Sequence, residues 1–185
     1  FNNMIVECFL HRIPNISHPF LYMNDDYFVT GHLDMNTLMT AGKMDIYRNL
    51  IRMDTFVFAN GGTVWDRMMV HNAKLSSRCF GRRLSSMRLM QHMPYILYPC
   101  AMEQLCDLFR DGIHRMGMCH AGRSSTDIIM VFLHQEWWIS NHPEKVNVRS
   151  LTRYTTPSYS FISHGFDTIQ DISDMITDAT VDFLV

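Results

Sequence analysis

Apolar residues recur at spacings of three and four along much of this 185-residue chain, and short apolar runs separate the helical stretches. Asn2-Asn3 caps a first helix whose Ile5, Val6, Phe9 and Leu10 face inward, and Pro14 stops it. Phe20-Leu21-Tyr22-Met23, entered through Pro19, reads as a short buried strand, which Asn24-Asp25-Asp26 ends with turn-forming side chains. The stretch containing Gly31, Asn36 and Gly42 has no clear period and predicts no element. Residues 54–59 read as a second strand closed by the turn Asn60-Gly61-Gly62. A helix follows over about residues 63–77, carrying Trp65, Met68, Met69, Asn72 and Leu75 and closed by Phe80-Gly81. Another runs over about residues 95–111 with Pro99 in its first turns, and a Gly- and His-rich connection follows over 112–122. Arg123-Ser124-Ser125-Thr126-Asp127 has the residues of a helix start, leading to Ile128, Phe132, Trp138 and Ile139 and ending at His142-Pro143. Residues 158–163 alternate like a strand, and 167–184 return to a helical pattern. The pattern is that of a mixed α/β chain, mostly helical in its second half, without internal repeats.

Composition narrows the class. A chain with 47% hydrophobic and 18% charged residues buries a sizeable core and is not disordered, and its length suits about one large domain. The net charge of −2 argues against bulk electrostatic binding of nucleic acid, so no nucleic-acid partner is expected. Only three of the 16 basic residues are lysines, and arginine is the better side chain for bidentate phosphate contacts. Five cysteines without C-x-x-C spacing indicate neither a zinc site nor a complete disulfide framework. The 16 methionines and the Trp137-Trp138 pair read as core filling. The longest apolar run, residues 128–133, is far short of the roughly 20 residues that span a bilayer, so any membrane association is expected through segments outside this chain.

Three groups carry candidate chemistry. Asn24-Asp25-Asp26 delivers two adjacent carboxylates at a strand end, where mutual repulsion calls for a cation between them, most simply a divalent metal. His92 precedes a helix and has a side chain that titrates near neutrality. Arg123 stands four residues before Asp127, a spacing that also suits a plain ion pair. The run Arg78, Arg82, Arg83 and Arg88 is either a solvated face or the lining of a phosphate cleft. A metal, an arginine and a base are together the parts that phosphoryl transfer needs.

At these residues the chain resembles a known family. Glu7-Cys8-Phe9-Leu10-His11-Arg12-Ile13-Pro14-Asn15-Ile16-Ser17 followed by Phe20-Leu21-Tyr22-Met23-Asn24-Asp25-Asp26 is similar to the block E-x-x-L-H-R-I-P-G-L-S … F-I-Y-x-N-D-D of the Stealth family. Asn72, Phe80-Gly81, His92-Met93-Pro94-Tyr95 and then Arg123 and Asp127 resemble a second block, so the likeness runs over roughly residues 5–139. The family comprises N-acetylglucosamine-1-phosphotransferase, capsule polymerases and phosphoglycan mannose-1-phosphate transferases. The resemblance implies a GT-A/Rossmann-like mixed sheet fragment and a single partial catalytic domain in three blocks, 1–60, 61–145 and 146–185.

It further implies transfer of hexose-1-phosphate from a nucleotide-sugar, UDP-GlcNAc or GDP-mannose, to a glycan acceptor, with release of a nucleoside monophosphate. His92 matches the residue that takes the acceptor proton, and Arg123 one that contacts the donor phosphates. Asp25 and Asp26 match the acidic pair assigned to Mg²⁺ or Mn²⁺ or to acceptor positioning. Asn24, Arg12, Asp127 and Arg67 are expected as supporting, substrate-binding residues. Localisation is expected in the Golgi lumen or membrane for a eukaryotic source and in the cytoplasm otherwise.

Departures from the family pattern are Phe9 for a common histidine, Pro99 for a common arginine and Asn15 for a glycine. An N-terminal nucleotide-binding block and a short C-terminal Asn-Asp block have no counterpart, so the chain is expected to be the central and C-terminal part of a catalytic unit. Asn15-Ile16-Ser17 is formally a glycosylation sequon, but a glycan there would crowd the strand leading to Asp25. The alternatives are a non-catalytic remnant or carbohydrate-binding module, and an ordinary metal-dependent glycosyltransferase that leaves the phosphate on its leaving group.

Overall fold

The computed structural model describes residues 2–24, 27–29, 38–59, 62–91, 93–119, 122–150, 159–160 and 183–184. The α/β class holds. Helix α1 (Asn3–Cys8) begins where Asn2 accepts the Met4 amide on its side-chain oxygen at 3.1 Å. Its buried residues are Met4, Glu7 and Cys8; of the four residues expected to face inward, Ile5 and Leu10 pack partly buried against the core, while Val6 and Phe9 are exposed. A single 3₁₀ turn, Leu10–Arg12, carries the chain on towards β1 (Phe20–Tyr22).

Strand β1 pairs antiparallel with β6 (Tyr95–Leu97), Tyr22 opposite Tyr95. The acids that follow β1 therefore do not leave a parallel strand. Strand β2 (Phe28–Val29) pairs antiparallel with β9 (Phe183–Leu184), which runs parallel to β8 (Tyr159–Ser160). Residues 183–184 are thus strand where the periodicity read helix, and the rest of that helix lies outside the described residues.

The main sheet is mixed. A two-residue connection with positive φ at both Ala41 and Gly42 joins β3 (Met39–Thr40) to β4 (Lys43–Arg52), the hairpin geometry that matches strand twist. Strand β4 pairs antiparallel with β5 (Arg88–Met90) through a register shift and parallel with β7 (Val146–Ser150). Residues 54–59, expected as a strand, fall within helix α2 (Met53–Ala59), which continues directly from β4.

Helix α3 (Val64–Phe80) has a complete capping box: Thr63 and Asp66 each bond the other's backbone amide, and Gly81 closes the far end in the left-handed region. The helix read over 95–111 begins only at Pro99. Tyr95–Leu97 is strand, α4 is Pro99–Leu108, and α5 (Arg110–Cys119) occupies most of the expected Gly-rich connection. Residues 123–129 form a loop rather than a helix start, and α6 (Met130–Asn141) follows.

Helix α6 runs through the core with Met130 to Glu136 all buried, packing on α3 and α4. Buried methionines from several elements, Met53, Met68, Met87, Met102 and Met116 among them, fill the space between. Three polar side chains of α6 are buried with them. Glu136 accepts Arg48 Nη2 at 2.7 Å and Arg82 Nε at 2.8 Å. His134 accepts the Tyr98 amide at 3.1 Å and Trp138 Nε1 at 3.2 Å, both on Nε2. Among the described residues no helix is long and apolar enough to cross a membrane.

Candidate functional site

Helix α1, the end of β1, the loop before α6 and the first turn of α3 meet around a cavity of about 380 Å³. Its lining combines polar side chains, Asn3, Glu7, Asn24 and Arg123, with apolar and aromatic ones, among them Tyr22, Trp65, Met90, Tyr95, Ile129 and Val131. A larger groove of about 450 Å³ lies between α3 and α5 and is lined by none of the candidate site residues read from sequence.

Arg123 is exposed, and its Nε and Nη2 donate to Asn3 Oδ1 at 3.3 and 2.9 Å. No carboxylate among the described residues closes an ion pair on it. The ion pair expected between Arg123 and Asp127 does not form. Asp127 is buried, and its Oδ2 accepts Asn2 Nδ2 and the Ser124 amide, both at 2.8 Å. It ties the Arg123 loop to the start of α1 and does not line the cavity.

Glu7 is the one acid on the buried face of α1. It is 6% exposed and accepts the Tyr22 hydroxyl at 3.0 Å. Burial pushes its carboxyl up to about 7, against the opposing pull of the Tyr22 hydrogen bond and the Arg123 charge. The cavity therefore holds a group that exchanges its proton near neutrality. Sequence reasoning quoted Glu7 within a motif and gave it no role. The available signal was an acid at helical spacing from Met4, on the side that turned out to face inward.

The remaining expected residues divide into three sets. Asn24 lines the cavity and is the residue before Asp25. Asp25, Asp26 and His92 lie outside the described residues. Arg12 and Arg67 stand apart from the cavity. Arg12 is stacked 4.8 Å above the Phe9 ring and faces another surface hollow with His11, His18 and Cys106. Arg67 is exposed and donates to the Gly62 carbonyl at 3.2 Å.

The basic run does not form a phosphate cleft either: Arg82 bonds Glu136, Arg88 bonds Ser150, and Arg78 and Arg83 are exposed. Cys8, Cys79, Cys100 and Cys106 are free thiols, and burial pushes Cys106 up to about 11, away from nucleophile chemistry. Among the described residues no group of three or more His, Cys, Asp and Glu side chains is placed to hold a metal ion.

No protein-family model matches the chain. The chain is similar to bacterial capsule enzymes. It is 28% identical over 115 residues, 61% of its length, to capsular polysaccharide phosphotransferase fcs1 of Haemophilus influenzae. Shorter stretches of 41 residues, 22% of the chain, are 52% identical to capsular polysaccharide phosphotransferases of Actinobacillus pleuropneumoniae and Actinobacillus suis. The matched region spans 31% of the Haemophilus protein and 11% of each Actinobacillus protein. At this level the likeness supports phosphotransfer in glycan synthesis and agrees with the Stealth-type reading.

Proposed function

We propose that the cavity belongs to a sugar-1-phosphate transferase, and that it takes the diphosphate of a nucleotide-sugar and a hydroxyl of an acceptor glycan. The observation that carries this reading is the meeting, in one cavity, of an arginine that closes no ion pair among the described residues, an acid poised near neutrality and several aromatic side chains. The similarity to capsular polysaccharide phosphotransferases supports it independently.

In this reaction the acceptor oxygen forms a bond to the β-phosphorus. The bond from that phosphorus to the bridging oxygen breaks, and the nucleoside monophosphate leaves with the bond electrons. His92 takes the acceptor proton. Arg123, held by Asn3, neutralises oxygens of the diphosphate as charge develops on them. A bound diphosphate raises the pKa of Glu7 further, so Glu7 is neutral in the donor complex and donates a hydrogen bond to a phosphate or acceptor oxygen. The aromatic side chains of the lining, with Trp65 40% exposed, offer a ring-stacking surface.

Asp25 and Asp26 are hard oxygen donors, with the Asn24 amide beside them in sequence, and this donor set fits Mg²⁺ or Mn²⁺. Such an ion supplies charge neutralisation at the phosphates.

Identification of the released nucleotide tests the proposal. The full-length protein containing this chain is incubated with UDP-GlcNAc or GDP-mannose, a mannoside acceptor and Mg²⁺ or Mn²⁺. UMP or GMP is the expected product. UDP or GDP would instead establish an ordinary glycosyltransferase, and neither would establish a binding module. His92→Ala and Asp25→Ala are each expected to lower the rate by at least about 10².

A further inference from the structure

We propose that Asn72 is a positioning residue that sets the reach of Arg123 into the cavity, acting through the backbone of the 123–129 loop. The inference rests on the reading of Arg123 as the donor-phosphate arginine. Asn72 lies mid-way along α3, is fully buried and does not line the cavity. Its side-chain amide makes three bonds. Nδ2 donates to the Met68 carbonyl at 2.9 Å, one turn back on the same helix, and to the Asp127 carbonyl at 2.8 Å, while Oδ1 accepts the Ile129 amide at 2.9 Å. Two of the three bonds thus grip the backbone of one loop on either side of Ile128, and both fix the plane of the amide against a single rigid helix.

That loop is fixed again from the other side. The Asp127 carboxylate takes Asn2 Nδ2 and the Ser124 amide, and Asn2 also caps α1, whose next residue, Asn3, holds Arg123. The path from Asn72 to the Arg123 guanidinium therefore runs through the Asp127 residue and the covalently joined Asn2-Asn3 pair, with hydrogen bonds of 2.8, 2.8 and 2.9 Å at the three non-covalent steps. Arg123 itself is exposed and bonded only to Asn3 among the described residues, so the loop backbone decides where its guanidinium stands. Loss of the Asn72 grip frees that backbone, and misplacement by a fraction of an ångström weakens a bidentate phosphate contact.

The test is a double-mutant cycle in the full-length protein, comparing Asn72→Asp, Arg123→Ala and the two combined. Asn72→Asp keeps the acceptor for the Ile129 amide and loses both donations. Asn72→Gln, which retains the amide but displaces it, is the parallel variant should Asn72→Asp not fold. The expected result is a rise of about tenfold in donor KM with acceptor KM within twofold of wild type, and less than a twofold further change when the substitution is added to Arg123→Ala. A purely packing role predicts instead a lowered Tm with equal effects in both backgrounds, and that outcome overturns the proposal.

Calorimetric binding of inorganic pyrophosphate to the same variants keeps the two readings distinct. If no sugar donor is turned over, parallel loss of pyrophosphate affinity in Asn72→Asp and Arg123→Ala still supports the positioning role while the transferase reading fails. Affinity lost in Arg123→Ala and retained in Asn72→Asp overturns the positioning role alone. Affinity unchanged in Arg123→Ala overturns both.

Discussion

Two glutamates are buried in this chain to nearly the same depth, and their surroundings differ in one respect. Glu136, in the middle of α6, is 1% exposed and held between Arg48 and Arg82. Glu7, on α1, is 6% exposed and has a tyrosine hydroxyl and a more distant arginine charge. The acid with two guanidinium partners is held in ion pairs and ties three elements together: β4, the segment after α3, and α6. A buried acid without one stays near its protonation midpoint and faces a cavity. Burial alone therefore does not distinguish a structural charge from a reactive one; the partner does.

The comparison breaks most sharply at Glu136. Glu136→Ala leaves the Arg48 guanidinium 2% exposed and uncompensated, and we expect a loss of about 3–5 kcal/mol in denaturant unfolding. A loss below about 1 kcal/mol would mean that the ion pairs hold nothing.

Glu7→Gln is expected to act in the opposite direction on stability. The folded-state pKa is raised from 4.5 to about 7, so between those values the folded protein holds a proton that the unfolded chain has released. Stability falls as pH rises through that window, and the penalty is complete above pH 7. Glu7→Gln should therefore stabilise the protein by about 3 kcal/mol at pH 8 and by nearly nothing at pH 4, while changing transfer little, because glutamine keeps a neutral hydrogen-bond donor at that place. Unfolding curves of wild type and variant that run parallel from pH 4 to 8 would remove Glu7 from the role assigned to it.

His134 sharpens the comparison with a group buried in its neutral form. Burial lowers its pKa from 6.5 to about 3, so its contribution is complete above pH 6.5 and is lost as pH falls towards 3. Wild type should lose about 2 kcal/mol between pH 6.5 and 5 on this account, and His134→Gln should flatten that limb. The smallest effect is expected at Arg82, whose side chain is 21% exposed. Arg82→Ala should cost about 1 kcal/mol, because Arg48 still compensates Glu136.

Elements with local end signals were legible in the sequence, and elements defined by their neighbours were not. Helix α3 announced itself through its start near Thr63 and through Gly81, and α1 through Asn2. Strand β4 did not, because Met44, Asp45, Ile46, Tyr47 and Arg48 are all buried in succession and two of them are charged, so no alternation appears. In α2 the β-favouring Thr55, Phe56 and Val57 are helical because the chain turns out of β4 there, with the Met53 amide bonded to the Met87 carbonyl. Tyr95–Leu97 is held as a strand by β1, a partner some 75 residues earlier that no local pattern reveals.

At the site, Arg123 and Asn24 were visible because they belong to a motif. Glu7 needed the burial of α1 to be known, and Asn72 needed the path of the loop it holds. Asn15 offers a smaller instance: it sits at a φ of 58°, in the left-handed region where glycine is at ease and asparagine is tolerated, which accounts physically for the glycine expected there.

Asn2 does two jobs at once, and they are separated by 125 residues of chain. Six residues of helix do not persist alone in water. A chain emerging from the ribosome therefore carries Asn3, Glu7 and the start of the cavity for more than a hundred residues before Asp127 arrives to lock the Asn2 cap in place. The polar lining cannot close until residue 127 is made although Asn3 and Glu7 are synthesised long before it, and a nascent chain halted before that residue would have made Glu7 without making its site.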